Sequence, residues 1–329
     1  MLYITLPSHQ LRPLSFYLAM EEYVARHDCG GGEDLFFMWQ VSPSVIFGRN
    51  QLIENEVNLD YCRQHGISMY RRKSGGGCVY ADEGNVMFSY VTRCEQVQFT
   101  FHRYVSLVCL VLRELGINAE VSGRNDILVD GRKVSGNAFF RLPQASIVHG
   151  TMLYDTSMDH MVSAITPSGT KLQSKGIESV RSRIGLLKDY TELSLSDFMA
   201  FVRRRLCRDE WKLTPSDVAS IQTLEQTYLA PSFIYGRNPA YTMVRRGRIE
   251  GVGELEVRLE MRNGIIRDAN LLGDFFLLGD LDASLLSPLI GSSLTKDSLQ
   301  AVLPLHTEEI IAGLHRDDFI ALLLTPSSQ

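Results

Sequence analysis

Between Glu254 and Met261 the chain alternates strictly. Leu255, Val257, Leu259 and Met261 point one way; Glu254, Glu256, Arg258 and Glu260 point the other. A period of two puts one face of a strand in a core and the other in water. Asn263-Gly264 follows, a dipeptide suited to a two-residue hairpin, so a second strand is expected beyond it. Three stretches after that, roughly 282–290, 295–303 and 307–324, predict short helices. Together these elements predict a small α+β domain over residues 243–329.

Residues 1–242 mix both periods. Leu14–His27 is rich in helix formers. Phe101, Val105, Val108 and Leu112 share one helical face, with Gly116 placed as a C-cap. Leu195, Phe198, Val202 and Leu206 predict another helix over 194–207, and a short one is expected at 59–65, ended by Gly66. LFFMWQV and SVIFGRN predict strands joined by a turn at Ser42-Pro43. ISMYRR leads as a strand into Gly75-Gly76-Gly77, and NVMFSYV leaves it. AEVSGRNDILVDGRKVSGNAFFR and SIVHGTMLYD form a dense β region.

Composition narrows the function. The chain has 329 residues, 45% hydrophobic, with a formal net charge of −5. That is ordinary globular composition, and the acidic balance argues against a general nucleic-acid binder. Arg203-Arg204-Arg205 is read as the solvated face of a helix. No apolar run approaches bilayer length, so no membrane association is expected. The six cysteines (29, 62, 78, 94, 109, 207) contain no C-x-x-C pair. This predicts a reduced, cytoplasmic protein without a zinc or disulfide framework, with a monomer as the default.

Three stretches carry candidate chemistry. The first is RRKSGGGCVY, residues 71–80. It lacks the lysine of a Walker loop, and strand rather than helix follows the glycines, so a helix-dipole phosphate site is excluded here. What remains is a glycine turn that brings backbone close to a ligand beside Arg71, Arg72 and Lys73. The second is GRNDILVDGRKVSG. A hairpin turn at Asp130-Gly131 pairs Val129 with Arg132, Leu128 with Lys133, Ile127 with Val134 and Asp126 with Ser135. Asp126, Leu128, Lys133 and Ser135 then share a face. Two readings stay open: a surface ion pair worth about 0.2–1 kcal/mol, or a lysine and a carboxylate facing one anionic substrate. The third is HGTMLYD, with His149 and Thr151 on one side of a strand.

In order along the chain, LAMEE, RRKSGGGCVYADEGN, GRNDI, GRKVSGNAF, HGTMLYD and KLQSKGIESVRSR resemble the lipoate–protein ligase family. The resemblance implies an α+β fold of the biotin/lipoate-ligase type: a catalytic domain of mixed sheets flanked by helices over 1–242, and an accessory domain over 243–329. It implies two steps. Lipoate and ATP, with Mg2+, form lipoyl-AMP; the acyl group then passes to a lysine of a carrier. The implied carriers are lipoyl domains of 2-oxo-acid dehydrogenase complexes and the glycine cleavage H protein.

By the same resemblance Lys133 is the catalytic lysine. Arg72, Gly77, Cys78, Val79, Tyr80, Asn125, Asp126, Lys171, Lys175 and Gly176 are expected to meet the nucleotide, with Asp126 on the magnesium side. Gly75, Gly76, Ser135, Gly136 and His149 are expected to line lipoate together with Lys133. Cys78 stands where relatives often carry alanine. The alternative is an octanoyl- or lipoyl-transferase of the same fold, which works without ATP through a cysteine nucleophile beyond the lysine region. The one cysteine after Lys133 is Cys207, on a predicted helix outside any motif.

Overall fold

The computed structural model describes residues 1–8, 10–27, 32–93, 97–122, 125–165, 182–236 and 241–325. These divide into two compact units. The first comprises Met1–Phe47, Ile53–Arg72 and Cys78–Ile234; the second comprises Gly48–Leu52, Lys73–Gly77 and Tyr235–Gln329.

The first unit is built on a mixed sheet. Its described strands are β1 (Leu2–Thr5), β2 (Leu35–Trp39), β6 (Asn85–Thr92), β7 (Ala119–Ser122), β8 (Asp126–Val129), β9 (Arg132–Leu142), β10 (Ala145–Leu153) and β11 (Asp209–Lys212), in the order β11-β1-β2-β6-β10-β9-β8-β7. The β11-β1-β2 edge is parallel and the remaining pairs are antiparallel. Helix α1 (Leu14–Arg26) packs on one face of this sheet, and the helix Val97–Glu114 packs against β9 and β10. A helix at Pro215–Leu229, which lies against α1, begins with a capping box of Thr214 and Asp217 with Pro215 in its first turn.

A second, small sheet has the order β4-β3-β5, from β3 (Ser44–Phe47), β4 (Ser68–Arg71) and β5 (Val79–Ala81). The two strands expected around Ser42-Pro43 are both present, but they belong to different sheets. The glycine stretch does not close a hairpin: β4 and β5 both pair with β3, one on each side.

In the second unit β12 (Met243–Ile249), β13 (Gly253–Arg262) and β14 (Ile265–Gly273) form an antiparallel sheet. Leu255, Val257 and Leu259 are buried as the alternation demands. Asn263 and Gly264 have φ of 53° and 75°, the left-handed pair of a tight hairpin turn. One helical expectation needs correction: 307–324 is not one helix. A 3-10 turn at Thr307–Glu309 is separated from the helix Arg316–Leu324, because Gly313 takes φ 76° and Ile311 bridges to Leu277.

The segment Lys73–Gly77 is tied into this second unit. Gly76, at φ 85°, donates its N–H to Phe275 O at 3.0 Å. A Cβ on Gly75 would lie 2.3 Å from Phe275 O, whereas Gly77 has open space. Two of the three glycines therefore have a packing reason that involves no ligand.

Candidate active site

The Asp130-Gly131 turn forms as expected, with φ of 49° and 73°. Val129 pairs with Arg132 and Leu128 with Lys133. A register shift then intervenes between Ile127 and Leu128, so Ile127 pairs with Ser135 and Asp126 with Gly136. The pairing expected for an unbroken ladder is thus corrected at two positions. Val134 is the extra residue of a β-bulge, a device that bends a strand and re-aims its side chains.

The bulge decides which side chains meet. Lys133 Nζ lies 2.8 Å from Asp126 Oδ1, with both side chains about one-third exposed. Gly136, now opposite Asp126, makes room for the lysine: a Cβ there would meet Lys133 Cε and Nζ at 2.8 Å. Ser135 is turned to the other face, buried beside Asn137, whose Nδ2 donates to Ser135 Oγ at 3.1 Å. Asn137 in turn fills the space over Gly150. Asn125 is committed to this backbone, since its Nδ2 donates to Asn137 O at 2.8 Å and its carbonyl accepts from Asn137 Nδ2 at 2.9 Å.

Gly136 pairs with Thr151, and Ala138 pairs with His149. Directly opposed residues point to the same side of a sheet, so the lysine's seat and His149 share a face, one pleat repeat or about 7 Å apart. His149 is buried, and its Nδ1–H donates to Glu21 Oε2 at 2.8 Å. Ser89 Oγ–H donates to Glu21 Oε1 at 2.5 Å, and Trp39 Nε1–H donates to Ser89 Oγ at 2.8 Å. Glu21 is fully buried, and these donors compensate the burial. Trp39 also borders a cavity of about 330 Å³ with Tyr17, Met20 and Phe37. Sequence reading missed Glu21, Ser89 and Trp39. The acid pair in LAMEE, inside an otherwise apolar helix, was the available signal for Glu21.

Arg72, the residue after β4, and Val79, in β5, converge on Ile46. Arg72 Nη1–H donates to Ile46 O at 3.1 Å, and Val79 pairs with Ile46. Arg72 is buried, which pushes its pKa down to about 10 and leaves it charged at neutral pH. Arg71 is also buried, with Nε–H donating to Ile234 O at 2.9 Å and its guanidinium over Phe47. Tyr80 turns its side chain into the core. Burial pushes the Cys78 thiol up, with Glu56 adding to the shift. Lys171, Lys175 and Gly176 lie outside the described residues. Among the described residues no group of three or more His, Cys, Asp or Glu is placed to hold a metal ion, and no helix is long and apolar enough to cross a membrane.

A family model described as the lipoyl protein ligase A/B catalytic domain matches residues 13–206, and one described as the bacterial lipoate protein ligase C-terminus matches residues 238–323. The chain belongs to the lipoate–protein ligase family. This ligase is 35% identical to lipoate-protein ligase LplJ of Bacillus subtilis (strain 168), over 93% of its own length and 95% of the relative's. It is also 35% identical to lipoate–protein ligase 1 of Staphylococcus aureus (strain Mu50), over 80% and 82% of the two chains. Its fold matches that of P. falciparum LipL1 in complex with lipoate, with a TM-score of 0.77 at 18% identity over 97% of each chain. A lipoate-protein ligase A bound with ATP matches with a TM-score of 0.60 at 25% identity, covering 72% of the ligase and 97% of that chain.

Proposed function

We propose that the chain activates lipoate with ATP and transfers the lipoyl group from lipoyl-AMP to a lysine on a carrier domain. The observation that carries this reading is Lys133 Nζ, 2.8 Å from Asp126 and seated over Gly136 on the face that bears His149. Joining a carboxylate to a triphosphate needs positive charge between two anions, and a lysine is a compact cation with three donors.

In the first step an oxygen of the lipoate carboxylate attacks the α-phosphorus, and the bond to pyrophosphate breaks. Lys133 would lie between the acyl oxygen and the α-phosphate. Arg72 would add a fixed charge from beside the small sheet. In the second step a neutral carrier amine attacks the acyl carbon, and AMP leaves with the former carboxylate oxygen. The Glu21–His149–Ser89–Trp39 network would give the acyl chain a rigid wall.

Magnesium fits this site in a limited way. A single carboxylate suffices for Mg2+ when phosphates and water supply the other oxygens, and Asp126 is about one-third exposed. When bound with the triphosphate, Mg2+ would neutralise phosphate oxygens. The reading extends to lipoyl domains of 2-oxo-acid dehydrogenase complexes and the glycine cleavage H protein as carriers.

The transferase alternative needs a reactive thiolate. Burial pushes up the thiols of Cys62, Cys78, Cys109 and Cys207, which disfavours each as a nucleophile at neutral pH. Lipoate-dependent exchange of pyrophosphate into ATP tests the proposal. Exchange that requires lipoate is expected; none at saturating lipoate would sink it.

A further inference from the structure

The ladder between β9 and β10 ends at the pair Ser135 and Met152, so Arg132, Lys133 and Val134 run on beyond it. On that side lies the strip Ile184–Gly185. Ile184 forms a parallel bridge with Lys133, and Gly185 N–H donates to the Lys133 carbonyl at 3.0 Å. On its other side Lys133 pairs with Leu128, next to the bulge. A bulge locally disrupts its ladder, and the Gly185 amide supplies a partner at that point.

The strip has anchors of its own. Leu187 is fully buried, Lys188 N–H donates to Tyr154 O at 3.1 Å, and Asp189 N–H donates to Leu186 O at 3.0 Å. It also fits closely. A Cβ at Gly185 would lie 3.2 Å from Arg132 Cβ, 3.3 Å from the Tyr190 hydroxyl and 3.4 Å from Val134 Cγ1.

We infer that Ile184–Gly185 is a positioning element for Lys133: its backbone holds the lysine's own backbone at the bulge and sets the direction in which Nζ projects over Gly136. Gly185 is a positioning residue because it touches the lysine's carbonyl and acts on the reaction through it. The inference rests on the reading of Lys133 as the group that meets the reacting atoms.

The test is lipoate-dependent ATP–pyrophosphate exchange with the full chain as wild type, Gly185→Val, Gly185→Val/Val134→Ala and Lys133→Ala. Gly185→Val pushes the strip off the bulge. It is expected to lower kcat roughly 10- to 100-fold, as misplacement of a catalytic group by about 1 Å does. The KM for ATP should stay within about twofold, because binding groups elsewhere are untouched. Removing the Val134 methyls opposite the new side chain is expected to restore part of kcat. If Gly185→Val fails to fold, Gly185→Ala gives a smaller loss of the same kind.

A folded Gly185→Val enzyme with wild-type kcat overturns the inference, as does a loss confined to KM or one that Val134→Ala does not relieve. Exchange retained by Lys133→Ala overturns the reading of Lys133 itself, and the two failures are told apart by that single variant.

Discussion

The ammonium of Lys133 occupies the space that a side chain at Gly136 would fill: a Cβ there would meet Nζ and Cε at 2.8 Å. Glycine in GRKVSGNAF is therefore the seat of the lysine three residues before it. Gly136→Ala is inexpensive for the fold, since the far end of a lysine can swing aside. It is expected to lower lipoate-dependent pyrophosphate exchange roughly 10- to 100-fold, with a melting temperature close to wild type. Steady-state exchange beside a thermal melt checks both halves.

Glu21 accepts hydrogen bonds from Ser89 and His149 inside the core. Glu21→Ala leaves both donors without their acceptor and opens a cavity. Urea unfolding should show a loss of about 3 kcal/mol. Glu21→Gln, which keeps the shape and one acceptor oxygen, should lose less. Equal stability of all three proteins would contradict the network's role.

At the triple glycine the neighbours separate into tight and open. Gly75→Ala drives a methyl into Phe275 O, a backbone atom that cannot step aside, and should cost about 1–3 kcal/mol. Gly77→Ala meets open space. It should stay within about 0.5 kcal/mol of wild type in the same denaturant titration.

Asp217 gives a pH dependence. The Tyr23 hydroxyl donates to its Oδ1 at 2.5 Å, and this bond, with those from Thr214, holds the carboxyl below its ordinary value of 3.8. A group whose folded pKa is depressed adds stability above its unfolded pKa and loses it as pH falls through the folded one. Between about pH 5 and pH 3 the wild type should therefore lose stability more steeply than Asp217→Asn. Parallel slopes in urea titrations across that range would contradict the assignment.

Local patterns carried much of this fold. The Asp130-Gly131 and Asn263-Gly264 turns were legible because both residues of such a turn need positive φ, which few residues tolerate. The helices at 101–115 and 194–207 were legible from apolar spacing. The helix Pro215–Leu229 was not read, although Thr214-Pro215-Ser216-Asp217 is a capping signal. The bulge at Val134 was not legible, because register depends on partners beyond the hairpin, among them Ile184 and Gly185. This is why Ser135 was expected on the lysine's face and lies on the other. The grouping of Lys73–Gly77 with the second unit depends on Phe275, some two hundred residues on, and no local pattern announces it. Likewise, nothing near His149 in the chain points to Glu21.

ATP-dependent lipoylation is proposed to run through Lys133. The most direct measurement is the intact mass of an apo lipoyl carrier domain after incubation with this protein, lipoate, ATP and magnesium. Each component is omitted in turn, and Lys133→Ala replaces the wild type in a parallel reaction. Lys133-dependent ligation predicts one lipoyl adduct on the carrier in the complete reaction, and none without ATP, without lipoate or with Lys133→Ala. An adduct formed without ATP, or with the Lys133 variant at the wild-type rate, would contradict it.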